Sequence, residues 1–178
     1  MCCPVGLLAR DWPAGTSIDS AGQPLHRDAI GHRADADAEI AADALLVDDF
    51  KAELSGEWSI GTATPGFIGI GYIHDGNDKK SEKTARFTIP IEKAGKYEIR
   101  FAYTTQSNRA TNVPVTIVAG EEKKTVKVNE RKAPTIEGHF VALGKFKLEA
   151  NSKAVVTVSN KETDGHVIVD AVQAVEVK

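Results

Sequence analysis

Cysteine is nearly absent from this sequence. The only two cysteines are the neighbours Cys2 and Cys3, and a vicinal pair reaches disulfide geometry only with strain. A fold held together by disulfides and a thiol-based active site in the rest of the chain are therefore both excluded.

Long hydrophobic runs are missing as well. No apolar stretch approaches the ~20 residues that span a bilayer, and no basic and apolar leader of the secretory type precedes the cysteines. The sequence therefore predicts no membrane span and no signal peptide in this chain.

Lysine is missing from the first part of the chain. Residues 1–50 contain three Arg, no Lys and nine Asp or Glu, a net charge of 3 − 9 = −6. Residues 51–178 contain nineteen basic and sixteen acidic residues, a net charge of 19 − 16 = +3. The total of −3 implies no general affinity for nucleic acid. The change in composition predicts an irregular acidic segment or linker over residues 1–43 and a separate module over residues 44–178.

Catalytic motifs are also lacking. There is no Gly-x-Ser-x-Gly elbow, and residues 1–43 contain no Gly-x-Gly-x-x-Gly pattern for a dinucleotide. The adjacent Glu121 and Glu122 fall in a predicted turn, where carboxylates are solvated, and the five histidines have no zinc-ligand spacing. The sequence therefore predicts that the chain is not an enzyme, and that any activity belongs to a parent domain.

What the sequence does contain is alternation of apolar and polar residues. Four large apolar side chains take every second position of the segment 95–104: Tyr97, Ile99, Phe101 and Tyr103. A period of two predicts a strand with one buried face. The pattern therefore predicts a central strand with Phe101 in the core and Arg100 on the surface.

Similar alternation continues from residue 44 to the end of the chain. It predicts about nine to eleven short strands separated by Gly, Pro, Asn and Asp turns, with no helical pattern between them to connect parallel strands. Residues 66–73 are among the β-rich segments, and residues 139–148 are predicted to form one long strand or two bent strands around Gly144. The predicted fold is all-β, an antiparallel β-sandwich or jelly roll.

Several short motifs follow Trp58 in order. They are Gly69-Ile70-Gly71-Tyr72, Ala94-Gly95-Lys96-Tyr97, Asn108-Arg109-Ala110-Thr111-Asn112-Val113-Pro114-Val115, Leu143-Gly144-Lys145-Phe146 and Val169-Asp170-Ala171-Val172. Their order over residues 44–178 resembles the golvesin C-terminal, xanthan-lyase carbohydrate-binding-domain-like family. The segments 72–77 and 108–115 are most similar to the copies appended to bacterial FAD-dependent oxidoreductases.

The resemblance implies a galactose-binding-like sandwich that acts as a non-catalytic accessory module of a larger bacterial protein. Such modules follow polysaccharide lyases, surface proteins and FAD-dependent oxidoreductases. Carbohydrate binding is the implied function, with a polysaccharide or a parent catalytic domain as the partner, no cofactor, and an extracellular or periplasmic location. The alternative is a structural C-terminal cap or docking domain with no ligand of its own.

Two loops have the side chains that a neutral hydroxylated ligand needs. Amides, imidazole, carboxylate and guanidinium groups bond to hydroxyls, and aromatic faces cover apolar sugar faces. The candidate ligand-binding residues are Tyr72, His74, Asp75, Asn77, Tyr103, Asn108, Arg109 and Asn112. The alternative is that these side chains only brace their own loops.

The resemblance also implies a candidate metal site. Galactose-binding-like modules often hold a structural calcium between the first and last strands, and calcium requires oxygen ligands. Asp49 and Asp170 are the candidate ligands. The alternative is that Asp170 only accepts backbone hydrogen bonds.

The change in composition leads to a test of the domain boundary. Limited proteolysis should leave a resistant core that begins near residue 44, because cleavage concentrates where backbone is unprotected by burial and hydrogen bonding. Mass spectrometry of the core gives the boundary. A module that unfolds when residues 1–40 are deleted would contradict the prediction.

Overall fold

The computed structural model describes residues 44–78 and 81–178, and this part of the chain contains twelve strands and a short 3-10 helix, Asp49–Lys51. The strands are β1 Leu45–Asp48, β2 Glu53–Ser55, β3 Ser59–Gly61, β4 Tyr72–His74, β5 Thr84–Ile91, β6 Gly95–Ala102, β7 Val113–Ala119, β8 Glu122–Val128, β9 Phe140–Leu148, β10 Ser152–Ser159, β11 Ile168–Val169 and β12 Ala171–Glu176. No helix in this part is long and apolar enough to cross a membrane.

The strands form two main sheets and one small sheet. The four-stranded sheet has the order β1-β12-β6-β9, and the five-stranded sheet has the order β2-β5-β10-β7-β8. A three-stranded sheet, β11-β4-β3, joins the four-stranded sheet where β11 continues into β12. All strand pairs are antiparallel, which confirms the predicted all-β sandwich.

The predicted central strand is β6, and it pairs with β12 on one side and β9 on the other. Phe101 and Ile99 are fully buried, and Tyr97 is 5% exposed. They pack in the main core between the two large sheets, together with the inward residues of β5, β7 and β10. The period-two pattern therefore identified the buried face of this strand.

Two details of the strand prediction differ from the structure. The segment 66–71 was read as strand because of its isoleucines and phenylalanine, but only Tyr72–His74 pairs in the sheet. Residues 66–71 instead cross the outer face of the four-stranded sheet, where Ile68 packs with three buried residues in a second cluster: Ala102, Phe140 and Ala171. Apolar residues without a regular period therefore marked a covering segment and not a strand.

The long β9 strand is bent, as predicted, at Gly144. The pairing of β9 with β6 shifts register between Ile99 and Arg100, so that Leu143 is the extra residue of a β-bulge. Gly144 has φ 155°, a backbone conformation that glycine adopts without steric cost. The bulge lets Leu143 remain buried in the main core.

The prediction that Arg100 is a surface residue is wrong. Its side chain is only 14% exposed, and Nε donates to Glu98 Oε1 at 2.8 Å. Its Nη1 lies 3.5 Å from Glu137 Oε1 and 3.4 Å from the buried Gln173 Oε1. The reason is tertiary, because the segment that carries Glu137 folds over the outer face of the sheet.

Substitutions at neighbouring positions of β6 test this description. Phe101→Ala should lower the free energy of unfolding by about 3–5 kcal/mol, since it leaves a cavity in the core. Arg100→Ala should lower it by about 1–3 kcal/mol, since Glu98 and Gln173 each lose a hydrogen bond. Urea denaturation measures both, and a near-zero effect of Arg100→Ala would show that its bonds add nothing.

Candidate functional site

Four long connections of the sandwich lie at the same end. They are residues 75–83, 103–112, 129–139 and 160–167, which we call the long-connection end. The opposite end has short turns, such as residues 120–121 between β7 and β8. Because long connections carry the variable side chains of a sandwich, this end is where a ligand site is expected.

Asp75 is fully buried and braces this end. Its Oδ1 accepts from the backbone N–H groups of Asn77 at 2.9 Å and Val167 at 3.0 Å, and its Oδ2 accepts from Asn160 Nδ2 at 3.4 Å. Asn77 itself is exposed and has φ 56°. Asp75 is thus committed to the loop, whereas the side chain of Asn77 faces solvent.

Lys83 and Asn160 hold the 75–83 connection through hydrogen bonds. The buried Lys83 Nζ donates to the backbone oxygen of Asp75 at 2.9 Å and lies 3.6 Å from Asp78 Oδ2. Asn160 Oδ1 accepts from the backbone N–H of Lys83 at 2.7 Å. Neither residue was singled out from the sequence, because an isolated polar residue next to a strand has no periodic signal.

Arg109 is buried, with 5% of its surface exposed. Its Nε donates to Thr104 O at 3.3 Å, Nη1 to Asn108 Oδ1 at 3.1 Å, and Nη2 to Thr64 Oγ1 at 2.9 Å. No carboxylate of the described residues forms an ion pair with it. Burying a cation without such a partner costs free energy. Here neutral oxygens hold the guanidinium, and its Cζ lies 5.9 Å from the centroid of the Tyr72 ring.

Tyr72 is 4% exposed and lies beneath this arginine. Its hydroxyl donates to Thr64 Oγ1 at 3.3 Å. Burial favours the neutral phenol, but the bond with Thr64 and the charge of Arg109 leave the pKa of Tyr72 below its usual range. A Cβ at Gly61 would lie 2.6 Å from the ring, so this ring face is covered by backbone and offers no platform for a sugar.

His74 and His166 form a half-buried pair with ring centroids 6.2 Å apart. His74 Nδ1 accepts from the backbone N–H of Gly76 at 3.2 Å. Burial, followed by the neighbouring His166, lowers the pKa of His74. His74 is therefore a neutral imidazole at pH 7, and its position links the 75–83 connection to the segment that contains His166.

Tyr103 belongs to the core, and its hydroxyl donates to Lys132 O at 2.9 Å. Burial, and next the charge of Glu130, raise the pKa of Tyr103 to about 12. Glu130 is fully buried, its Oε2 accepts from Ile168 N at 2.9 Å, and its Oε1 has no hydrogen-bond partner. Burial raises the pKa of Glu130 well above its usual range.

Asn112 and Thr111 tie the 103–112 connection to residues 162–164. The amide of Asn112 donates to Glu162 O at 2.8 Å and accepts from Asp164 N at 3.0 Å. Thr111 donates to Asp164 through its backbone N–H and its hydroxyl, both at 2.6 Å. These hydrogen bonds lower the pKa of Asp164. The side chain of Asn112 therefore braces the loop.

The structure thus separates the predicted ligand-binding residues into two groups. Tyr72, Asp75, Tyr103 and Arg109 are buried, and the amide of Asn112 is used internally. Asn77 and Asn108 are exposed, and His74 is half-buried. Only the second group can reach a ligand, and its binding role stays a prediction.

The two predicted calcium ligands, Asp49 and Asp170, lie near each other but interact with other protein groups. Both oxygens of Asp170 accept from Ile68 N, at 3.0 and 3.3 Å. Burial, and next a hydrogen bond with Asp48, raise the pKa of Asp49 to about 9. The described residues contain no group of three or more His, Cys, Asp or Glu that could hold a metal ion. The arrangement does not fit a calcium ion as it stands, and the calcium site stays a prediction.

Comparisons with known proteins agree with this architecture. The model of the Golvesin C-terminal domain family matches residues 36–176. Xanthan lyase of Bacillus sp. (strain GL1) is 29% identical over 126 residues, which are 69% of this chain and 13% of the lyase. The solved structure of a Paenibacillus xanthan lyase has a TM-score of 0.70 at 29% identity, over 76% of this chain and 13% of that one.

A family 35 carbohydrate-binding module from Clostridium thermocellum shares the fold. Its TM-score is 0.53 at 13% identity, over 76% of this chain and 100% of the module. The chain therefore corresponds to a small part of the lyases but to a whole module of this type.

The raised pKa of Glu130 predicts a pH dependence of stability. The folded state keeps the proton above the pH at which unfolded Glu130 loses it. The free energy of unfolding should therefore fall as pH rises from the usual glutamate pKa toward the higher folded pKa, by up to about 1.4 kcal/mol per pH unit for this group.

The variant Glu130→Gln isolates this contribution. It should flatten the fall above the usual glutamate pKa relative to the original protein, since a neutral amide has no proton to lose. The exposed Glu121→Gln is the control and should leave the profile unchanged. Parallel profiles for Glu130→Gln and the original protein, with the variant less stable at every pH, would mean that Glu130 is ionised.

Proposed function

The chain belongs to the Golvesin C-terminal domain family, and from this premise we propose that it is a non-catalytic accessory module that binds carbohydrate at its long-connection end. The module has the fold of a carbohydrate-binding module. The proposed parent is a larger bacterial protein, either a polysaccharide lyase, as the xanthan lyase relative suggests, or a FAD-dependent oxidoreductase.

The observation that carries this proposal is the way Arg109 orients Asn108. The guanidinium holds Asn108 Oδ1 at 3.1 Å, while the backbone oxygen of Asn108 accepts from His166 N at 3.1 Å. With its oxygen held inward, the exposed amide directs its two N–H groups to solvent. A donor that is fixed before binding loses little entropy when a ligand oxygen arrives.

Neighbouring groups complete a polar surface for hydroxyls. Asn77 presents a second exposed amide, and the neutral His74 lies between it and the segment of His166. Amides and imidazole both donate and accept, which suits the hydroxyl groups of a neutral sugar. Because the ring of Tyr72 is covered, recognition here depends on hydrogen bonds and not on stacking.

A second candidate function is a docking cap, and the exposed apolar side chains around β2 and β3 favour it. Ile60 on the edge strand β3 is 60% exposed, Leu54 on β2 is 47% exposed, and Ile70 is 45% exposed. Exposed apolar residues of this size are typical of surfaces that contact another domain. The partner would then be the parent catalytic domain, with no sugar bound.

Asparagine substitutions test the binding site. Asn77→Ala and Asn108→Ala should abolish retardation of the protein in native gels that contain a neutral polysaccharide, β-1,4-mannan or dextran, whichever retards the original protein. The melting temperature should change little, because both side chains are exposed.

Lys93→Ala is the control for both asparagine variants. Lys93 is exposed and lies in the turn between β5 and β6, at the opposite end. The control should be retarded like the original protein. Equal retardation of all four proteins would place the site elsewhere, and no retardation in any gel would favour the docking cap.

A further inference from the structure

We propose that the outer face of the five-stranded sheet is a second binding surface, one that fits an extended polyanionic polysaccharide. This face consists of the outward residues of β2, β5, β10, β7 and β8. It is separate from the long-connection end, and the proposal does not depend on the carbohydrate site described above.

The register of the strands defines the face. Two rows of cross-strand partners run from β5 through β10 and β7 to β8. The first row consists of Arg86, Thr157, Thr116 and Thr125, and the second consists of Thr88, Val155, Val118 and Lys123. Directly opposed residues lie on the same side of a sheet. The alternate residues of β5 and β7 are fully or almost fully buried, so these rows face outward.

Basic residues dominate the charge of this face. Its strands present Arg86, Lys123, Lys127 and Lys153, against the single carboxylate of Glu53. Arg86 pairs with Glu53 at 3.4 Å, whereas none of the three lysines has an ion-pair partner among residues 44–78 and 81–178. The net charge of the face is therefore 4 − 1 = +3.

The outer face of the four-stranded sheet gives the contrast. Its basic residues are interleaved with acids, because Glu98 lies between Arg100 and Lys145 and pairs with both. Glu137 adds a second carboxylate next to Arg100. Among the outward residues of the four-stranded sheet, Lys96 and Lys147 have no ion pair in the described part of the chain, whereas the five-stranded sheet leaves three such lysines and a net charge of +3.

The spacing of the lysines suits a long ligand rather than one small anion. Lys123 and Lys127 are four residues apart on β8, about 13 Å along the strand. Lys153 is on β10, where it lies opposite Pro90 of β5. Strand β10 is two strands away from β8, which is about 10 Å across the sheet. Charges at such distances match a polymer that carries repeated anionic groups.

Hydroxyl groups fill the space between the cations. They belong to Ser55, Thr84, Thr88, Thr116, Thr125, Thr157 and Ser159. Thr116 and Thr125 hydrogen-bond to each other at 2.9 Å, and each hydroxyl can both donate and accept. Such rows can bond to the hydroxyls of successive sugars.

A shallow groove provides a recess at one end of the face. It has a volume of about 390 Å³ and is lined by Val118, Gly120, Asn151, Ser152, Lys153 and Val155. The lysine and the two valines of its lining would contact the charged and the apolar parts of one sugar.

A polysaccharide fits this face better than a nucleic acid. Single-stranded nucleic acids gain much of their affinity by stacking bases on aromatic side chains. The outward strand positions of this face carry no aromatic residue. Lysine and hydroxyl groups without aromatics therefore favour an anionic carbohydrate.

The test compares polygalacturonate with its fully methyl-esterified form, using the full chain. The polyanion should bind and the neutral ester should bind at least tenfold more weakly. Binding of the polyanion should also weaken steadily as NaCl is raised, because each lysine contact releases a counterion. Chondroitin sulfate distinguishes sulfate from carboxylate as the anionic group, and binding of either polymer supports the proposal.

A triple charge reversal locates the surface. Lys123→Glu, Lys127→Glu and Lys153→Glu together should weaken polygalacturonate binding at least tenfold. The control reverses three exposed lysines outside this face, Lys93, Lys96 and Lys147, so its change in net charge is the same. Equal losses in the two triple variants would overturn the proposal.

Other outcomes also decide it. The Asn108→Ala variant should bind polygalacturonate normally, because it affects only the long-connection end. Tighter binding of poly(U) or of polyglutamate than of polygalacturonate would overturn the proposal in favour of a nucleic acid or an acidic protein. Equal binding of the acid and its ester would overturn it as well.

Discussion

The long connections of this sandwich are held by buried carboxyl groups that accept backbone N–H groups from distant segments. Asp75 accepts from Val167, Glu130 from Ile168 and Asp170 from Ile68. A buried N–H without a partner costs about as much as a lost hydrogen bond. For these three N–H groups the carboxyls supply the partners, and they join segments that are distant along the chain.

This arrangement explains why carboxyl pKa values are raised in the module. Burial raises the pKa values of Glu130 and Asp170 well above their usual range, and Asp49 reaches about 9. A raised pKa means that the neutral carboxyl is favoured, because burial of a negative charge costs free energy. The stability contributed by these groups is therefore lost as pH rises toward their folded pKa values.

The rigid inner layer and the exposed outer groups have different roles. Arg109 and Tyr72 are covered, yet Arg109 fixes the amide of Asn108 at the surface. The outward face of the five-stranded sheet is equally fixed, but by strand register instead of by loop bonds. The molecule therefore presents two preorganised polar surfaces of different charge, one neutral and one basic, on a single core.

The sequence by itself determined the sheet part of the protein. The alternation in β5, β6 and β7 specified which side of each strand is buried, because successive side chains of a strand point to opposite faces. It also predicted the bend at Gly144 and the two loops that contain His74 and Arg109. Local patterns are sufficient for these features because a strand has one period and one buried face.

Tertiary structure alone decided which polar residues are free. Tyr72, Asp75 and Arg109 have the chemistry of a sugar site, but residues 64, 160 and 167, distant along the chain, cover or bond to them. Arg100 alternates like a surface residue, but the segment of Glu137 folds over it. Burial and hydrogen bonding of a polar side chain depend on segments that meet only after folding, so no local pattern contains this information.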